Sequence, residues 1–195
     1  MKPFSNYDTT QTFQERPVLP VGGYVAKIKK AQVRTYTGNN GSFDKLEIAF
    51  DISEGEYKDF FASDLKAQKA EDKKWKGVLR LYVPTDDGSE RDATTKSIFK
   101  GNMEAVEESN AGYHWDWDEN KLAGKTVGIL FRNEEWAYDG KTGWKAQPFK
   151  FIPAAKIREG KFTLPKDKPL NGSSNTVQTK PPAGYEEIDD DDCPF

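Results

Sequence analysis

The chain has one cysteine, Cys193, in 195 residues, which excludes an internal disulfide framework and a thiolate zinc site within one chain. His114 is the only histidine, so one imidazole is available as a conventional base. No apolar run approaches the length needed to cross a bilayer. The opening residues, MKPFSNYDTT, have neither the basic segment nor the apolar stretch of a secretory signal, and a cytoplasmic location is expected. G-x-x-x-x-G-K-[ST], H-E-x-x-H and G-x-S-x-G are all missing. The adjacent carboxylates Asp86 and Asp87, or Glu134 and Glu135, belong to no motif that would position them. The expected function is therefore non-enzymatic, with no cofactor and no metal. The nearest approach to a metal site is YHWDWDENK at 113–121, where Asp116, Asp118 and Asn120 start like a calcium loop. The glycine required at the sixth position is Lys121, and the glutamate required at the twelfth is Val127.

What is present is charge, unevenly distributed. The net charge is −3, yet Glu186, Glu187 and Asp189 to Asp192 alone carry six negative charges, leaving 29 basic against 26 acidic residues in positions 1–185. A mildly basic body with an acidic end points to a nucleic-acid or partner-binding protein with an interaction tail, or to a solubilising tail on an unrelated domain.

Hydrophobic periodicity divides the chain into three parts. Residues 1–21 lack periodicity and read as an irregular arm. Residues 22–162 carry the folded pattern. GGYVAKIKKAQVRTY at 22–36 alternates, with a phase slip after Ile28 that marks a strand with a bulge. TGNNGS at 37–42 is turn chemistry. KLEIAFDI places Leu46, Ile48, Phe50 and Ile52 inward and Lys45, Glu47, Ala49 and Asp51 outward. YKDFFAS at 57–63 reads as a third strand, 64–77 as an exposed helical turn or basic loop, and VLRLYV at 78–83 as a strand. The period lengthens over 94–110, where Ile98, Phe99, Met103 and Val106 share one helical face. Residues 125–154 read as a hairpin turning at Asp139-Gly140. Residues 163–195, rich in Pro, Gly, Ser, Asn and Asp, bury too little to offset ordering entropy and read as a disordered tail.

Three consecutive strands, a fourth segment, one main helix and a closing hairpin fit an all-β fold with one main helix. The best match is a five-stranded Greek-key barrel of the oligonucleotide- and oligosaccharide-binding type, the OB-fold; a β-sandwich is the alternative. In the OB-fold, ligands bind the face of strands two and three and the loops joining strands one to two and four to five. The first of those loops, YTGNNGSF, carries Tyr36 and Phe43. The second, NEEWAYDGKTGWK, carries Trp136, Tyr138, Trp144 and Lys145. Lys27, Lys29 and Arg34 lie on the first strand, Lys74 and Arg80 flank Trp75, and Tyr82 faces out beside Arg80. Basic residues interleaved with aromatics suit single-stranded nucleic acid, where rings stack on bases and cations meet phosphates. The alternative is that the tryptophans cap the barrel ends and the lysines are solvated.

The last residues, Asp189, Asp190, Asp191, Asp192, Pro194 and Phe195, resemble the C-terminal tip of bacterial and phage single-stranded DNA-binding proteins, with Cys193 where that family usually has a larger aliphatic residue. GYVAKIKKAQV, LEIAFDISEGEYKDFF and GNMEAVEESN are similar to phage- and prophage-encoded members from Gram-positive hosts, over about residues 20–160. The resemblance implies sequence-independent binding of single-stranded DNA in replication, recombination or repair. It also implies a tip that recruits other proteins of those processes. A terminal ring with a free carboxylate suits capture in an apolar pocket beside a cation. The rival function is a phage protein-interaction adaptor or DNA-mimic inhibitor that does not itself bind DNA.

Overall fold

The computed structural model describes residues 5–9, 17–38 and 41–170. The last twenty-five residues, and with them the acidic tip from Asp189 to Phe195, lie outside the described residues. The fold is mostly β, with five strands in one antiparallel sheet of order β3-β2-β1-β4-β5: β1 Gly23–Gly38, β2 Gly41–Ile52, β3 Val78–Tyr82, β4 Thr126–Tyr138 and β5 Lys141–Ile152. Two α-helices connect strands, α1 Phe60–Ala67 between β2 and β3 and α2 Glu90–Ser109 between β3 and β4, and a short α3, Ala154–Arg158, follows β5. Among the described residues no helix is long and apolar enough to cross a membrane.

The apolar half of the period-two run of β2 packs as its pattern dictates. Leu46, Ile48, Phe50 and Ile52 are buried, as are Leu79 and Leu81 beside them on β3 and Val127, Ile129 and Phe131 on β4. Phe50 sits edge-on to Phe61, Phe131 and Phe151, with ring centroids 5.6, 6.2 and 6.3 Å away. Such pairs add about 0.5–1.5 kcal/mol each beyond area burial. The phase slip after Ile28 is a bulge: the register steps from Ile28 opposite Phe50 to Lys30 opposite Ala49, leaving Lys29 as the extra residue. The β4–β5 connection is a two-residue turn, with Asp139 at φ 50° and Gly140 at φ 70°, the left-handed pair that matches strand twist.

Several sequence expectations are corrected. Residues 57–63 are not a third strand; Phe60 begins α1 instead. The cause is Asp51, expected to face outward on β2, which is 1% exposed. Its carboxylate accepts the backbone N–H groups of Phe61 at 3.0 Å and Ala62 at 3.2 Å, capping the helix from the neighbouring strand and letting Phe61 turn into the core. Ile98, expected on the buried face of the main helix, is exposed, whereas Phe99, Met103 and Val106 are buried. The helix begins earlier than its apolar period suggests, because Ser89 accepts the N–H of Asp92 as N-cap. The irregular arm contributes Leu19 to the core.

A further correction concerns the start of the tail. Residues 163–170 were expected to be disordered, yet Lys168 forms a parallel bridge with Glu134. Lys168 donates its N–H to Asn133 at 2.8 Å and accepts from Glu135 at 2.9 Å, while the N–H of Leu170 bonds the Glu135 carboxylate at 3.1 Å. β1 pairs with β4 only from Thr126 to Leu130. Past Phe131, whose N–H bonds the carbonyl of Gly22, no other described strand pairs with this edge of β4, and backbone bonding there outweighs the low apolar content of the segment.

Candidate nucleic-acid interface

Register places the outward residues of three strands in rows. Tyr36 lies opposite Phe43; Arg34 opposite Lys45, itself opposite Tyr82; Gln32 opposite Glu47, itself opposite Arg80; Lys30 opposite Ala49, itself opposite Val78. The alternating partners Leu46, Ile48, Leu79 and Leu81 are in the core. The strand pattern therefore gathers polar and aromatic groups from three separate segments on one face.

At one end of this face, Tyr36 and Phe43 stack with centroids 5.8 Å apart and planes within 9°, and Phe43 meets Tyr82 at 5.6 Å. The Lys45 ammonium stands over all three rings, 4.3 Å from the Tyr82 centroid, 5.4 Å from Phe43 and 5.5 Å from Tyr36. Each ring is only half-buried. In the adjoining row, Glu47 gathers the polar groups. Its Oε1 accepts from the Tyr36 hydroxyl at 2.5 Å and Arg80 Nε at 2.8 Å; its Oε2 meets Arg34 Nε at 3.2 Å and Gln32 Nε2 at 3.5 Å. Burial pushes the Glu47 carboxyl up, but the donors Tyr36, Arg80 and Gln32 outweigh it and hold the group below its ordinary value. These residues floor an open groove of about 450 Å³, walled by Lys30, Lys74 and Trp75.

Trp75 is fixed in that wall. Its Nε1 donates to the carbonyls of Phe50 at 3.1 Å and Gly77 at 3.0 Å, and its ring packs 6.4 Å from Phe61. It is half core residue and half groove residue. The structure thus brings together Arg34, Tyr36, Phe43, Lys74, Trp75, Arg80 and Tyr82. Lys27 and Lys29 are exposed on β1 but do not line the groove.

Trp136, Tyr138, Trp144 and Lys145 lie apart from this groove, on the two faces of the β4–β5 hairpin. Trp136 lies opposite Gly143, Tyr138 opposite Lys141 and Glu134 opposite Lys145, so these share one face, whereas Trp144 lies opposite Glu135 on the other. Exposure is 36% for Trp136, 49% for Trp144 and 80% for Tyr138. Glu134, the register partner of Lys145, is paired with Arg132 at 3.2 Å.

Lys30 is part of the first-strand basic cluster read from sequence, whereas Gln32, Lys45 and Glu47 were not among the site residues picked there. Their signal was available in the outward phase of two adjacent strands, but strand register was needed to bring them together. The residues of YHWDWDENK have structural partners. Asp118 accepts the N–H of Asn120 at 3.1 Å, Asp116 pairs with Lys121, and His114 Nδ1 lies 2.9 Å from Glu107. Compared with known proteins, the chain matches no family model, and no curated protein matches it significantly.

Proposed function

We propose that the chain binds single-stranded DNA without sequence preference along the outer face of β1, β2 and β3, and acts in DNA replication, recombination or repair. The observation that carries this reading is the row of half-exposed rings Tyr36, Phe43 and Tyr82 beside Lys45, Arg34 and Arg80 on one face. Every base has a π face, and stacking on an aromatic contributes about 1–3 kcal/mol per base whatever the sequence. The cations beside the rings neutralise phosphates. The strand order and the helix between β3 and β4 are compatible with an OB-fold, and closure of the sheet into a Greek-key barrel is part of the proposal. In this reading the protein is not an enzyme, and its acidic Pro-Phe tip recruits partner proteins. The resemblance of the last residues supports that second role.

Titration with poly(dT) tests the reading. Quenching of the emission of the five tryptophans, reversed by added salt, is the expected result. Unchanged emission and no mobility shift at low salt would overturn it.

A second reading, a protein-interaction adaptor, is favoured by one observation. Residues 104–120 carry six acids and no lysine or arginine. In their midst Trp117 is 76% exposed, at φ 68°. An adaptor would keep its other interactions while failing the poly(dT) titration.

A further inference from the structure

We propose that Glu47 is a positioning residue that aims the Arg34 and Arg80 guanidinium groups at the phosphates of a bound strand. The inference rests on the DNA-binding reading above and deepens it.

Glu47 is the one acid among the rows of this face, and Coulomb's law alone gives it the wrong sign for a phosphate site. Its geometry points to another role. Each oxygen meets two donors: Tyr36 and Arg80 at Oε1, Arg34 and Gln32 at Oε2. A carboxylate has about four lone-pair sites, so Glu47 has no acceptor capacity left for the amino group of a base. It therefore cannot read sequence.

What it can do is orient. Both arginines meet Glu47 through Nε. The terminal Nη nitrogens form the other part of each planar fork, and that part is suited to two parallel bonds to a phosphate. The two side chains remain 60% and 53% exposed, so they are held without being covered. Two long side chains that would otherwise lose rotamer freedom on binding are already ordered. The neutral Gln32 and Tyr36 complete the carboxylate's shell without adding charge. The ring face of Tyr36 remains stacked with Phe43. One acid thus ties the phosphate-binding and base-stacking parts of the face together.

The test uses the full chain, poly(dT), and a salt series, with a thermal melt of every variant. Glu47→Gln removes a negative charge from the groove. Electrostatics alone predicts tighter binding, whereas loss of positioning predicts affinity lowered by roughly tenfold. The same substitution is made in an R34K/R80K background, which keeps both charges but has no fork to aim. There the electrostatic sign should return, and E47Q should tighten binding. Tighter binding by E47Q in the otherwise native chain would overturn the proposal. So would an equal loss in both backgrounds, which would indicate damage to the fold. Failure of the native chain to bind poly(dT) at low salt would overturn the DNA-binding reading, and this inference with it. Normal native binding with either of the first two outcomes would overturn the Glu47 inference alone.

Discussion

The indole of Trp136 lies across Gly143, its direct partner on β5, so closely that a β-carbon on Gly143 would stand 2.9 Å from Cζ2 and 3.0 Å from Cε2. The hairpin carries its other tryptophan, Trp144, on the opposite face. One tryptophan is thus partly engaged with its own hairpin, and the other is freer to stack.

Trp144→Ala should therefore lower poly(dT) affinity more than Trp136→Ala, by about 1–2 kcal/mol as against less than about 1. Loss should be the same for poly(dT) and mixed-sequence strands. Gly143→Ala should displace the Trp136 ring and alter its emission while leaving far-ultraviolet circular dichroism unchanged. Equal effects of both tryptophan substitutions would show that the two faces are not distinguished.

Asp51→Asn should destabilise the fold by about 1–3 kcal/mol, because the amide that replaces one acceptor oxygen would meet backbone N–H groups it cannot bond. The carboxylate now accepts from Ile52, Phe61 and Ala62. Denaturant unfolding measures the loss. Amide exchange should report it first at Phe61 and Ala62, at the start of α1.

Gly101→Ala should stabilise the protein by about 0.5–1 kcal/mol, since glycine in a helix interior is entropically unfavourable. Gly101 lies inside α2, and a methyl there would meet no atom within 4 Å. No gain in urea midpoint would argue against a continuous helix at this position.

Acid should weaken the contact between α2 and the loop before it. The Asp92 carboxylate is held below the ordinary aspartate range, chiefly by Lys96, whose ammonium is 2.8 Å away, against burial and with help from the N–H groups of Asp86 and Thr85. A carboxyl with a lowered native pKa adds stability that is complete above its unfolded value, about 3.9, and is lost as pH falls through the native value. Asp92→Asn should therefore lower Tm at pH 7, and the gap from wild type should narrow below about pH 4. A gap that does not change with pH would contradict the ion pair.

The parts of the fold legible in sequence were those decided by neighbours along the chain. The inward half of the run from Lys45 to Ile52, the slip after Ile28 and the Asp139-Gly140 turn each reappear in the structure. The failures came where a distant group intervened. Phe60 and Phe61 read as strand residues because nothing nearby reveals that Asp51 will cap a helix there. Ser89 with Asp92 three positions on was a readable helix start, obscured because the apolar period begins later. At the candidate site, Arg80 and Tyr82 were visible as outward strand residues and Arg34 as a cation of the first strand, whereas Tyr36 and Phe43 read as the ends of a flexible loop and lie instead on β1 and β2. Glu47 was visible only as one more surface acid, since its four donors come from separate strands.

Lys168 occupies the margin of β4 that β1 leaves behind. A long aromatic ribbon with bare amides along that margin would be a template on which another molecule could crystallise its own backbone, strand by strand. A short polar stretch of the same chain lies there instead and satisfies part of that margin with its own backbone. Shortening the protein before this stretch should thus threaten its colloidal behaviour sooner than its core.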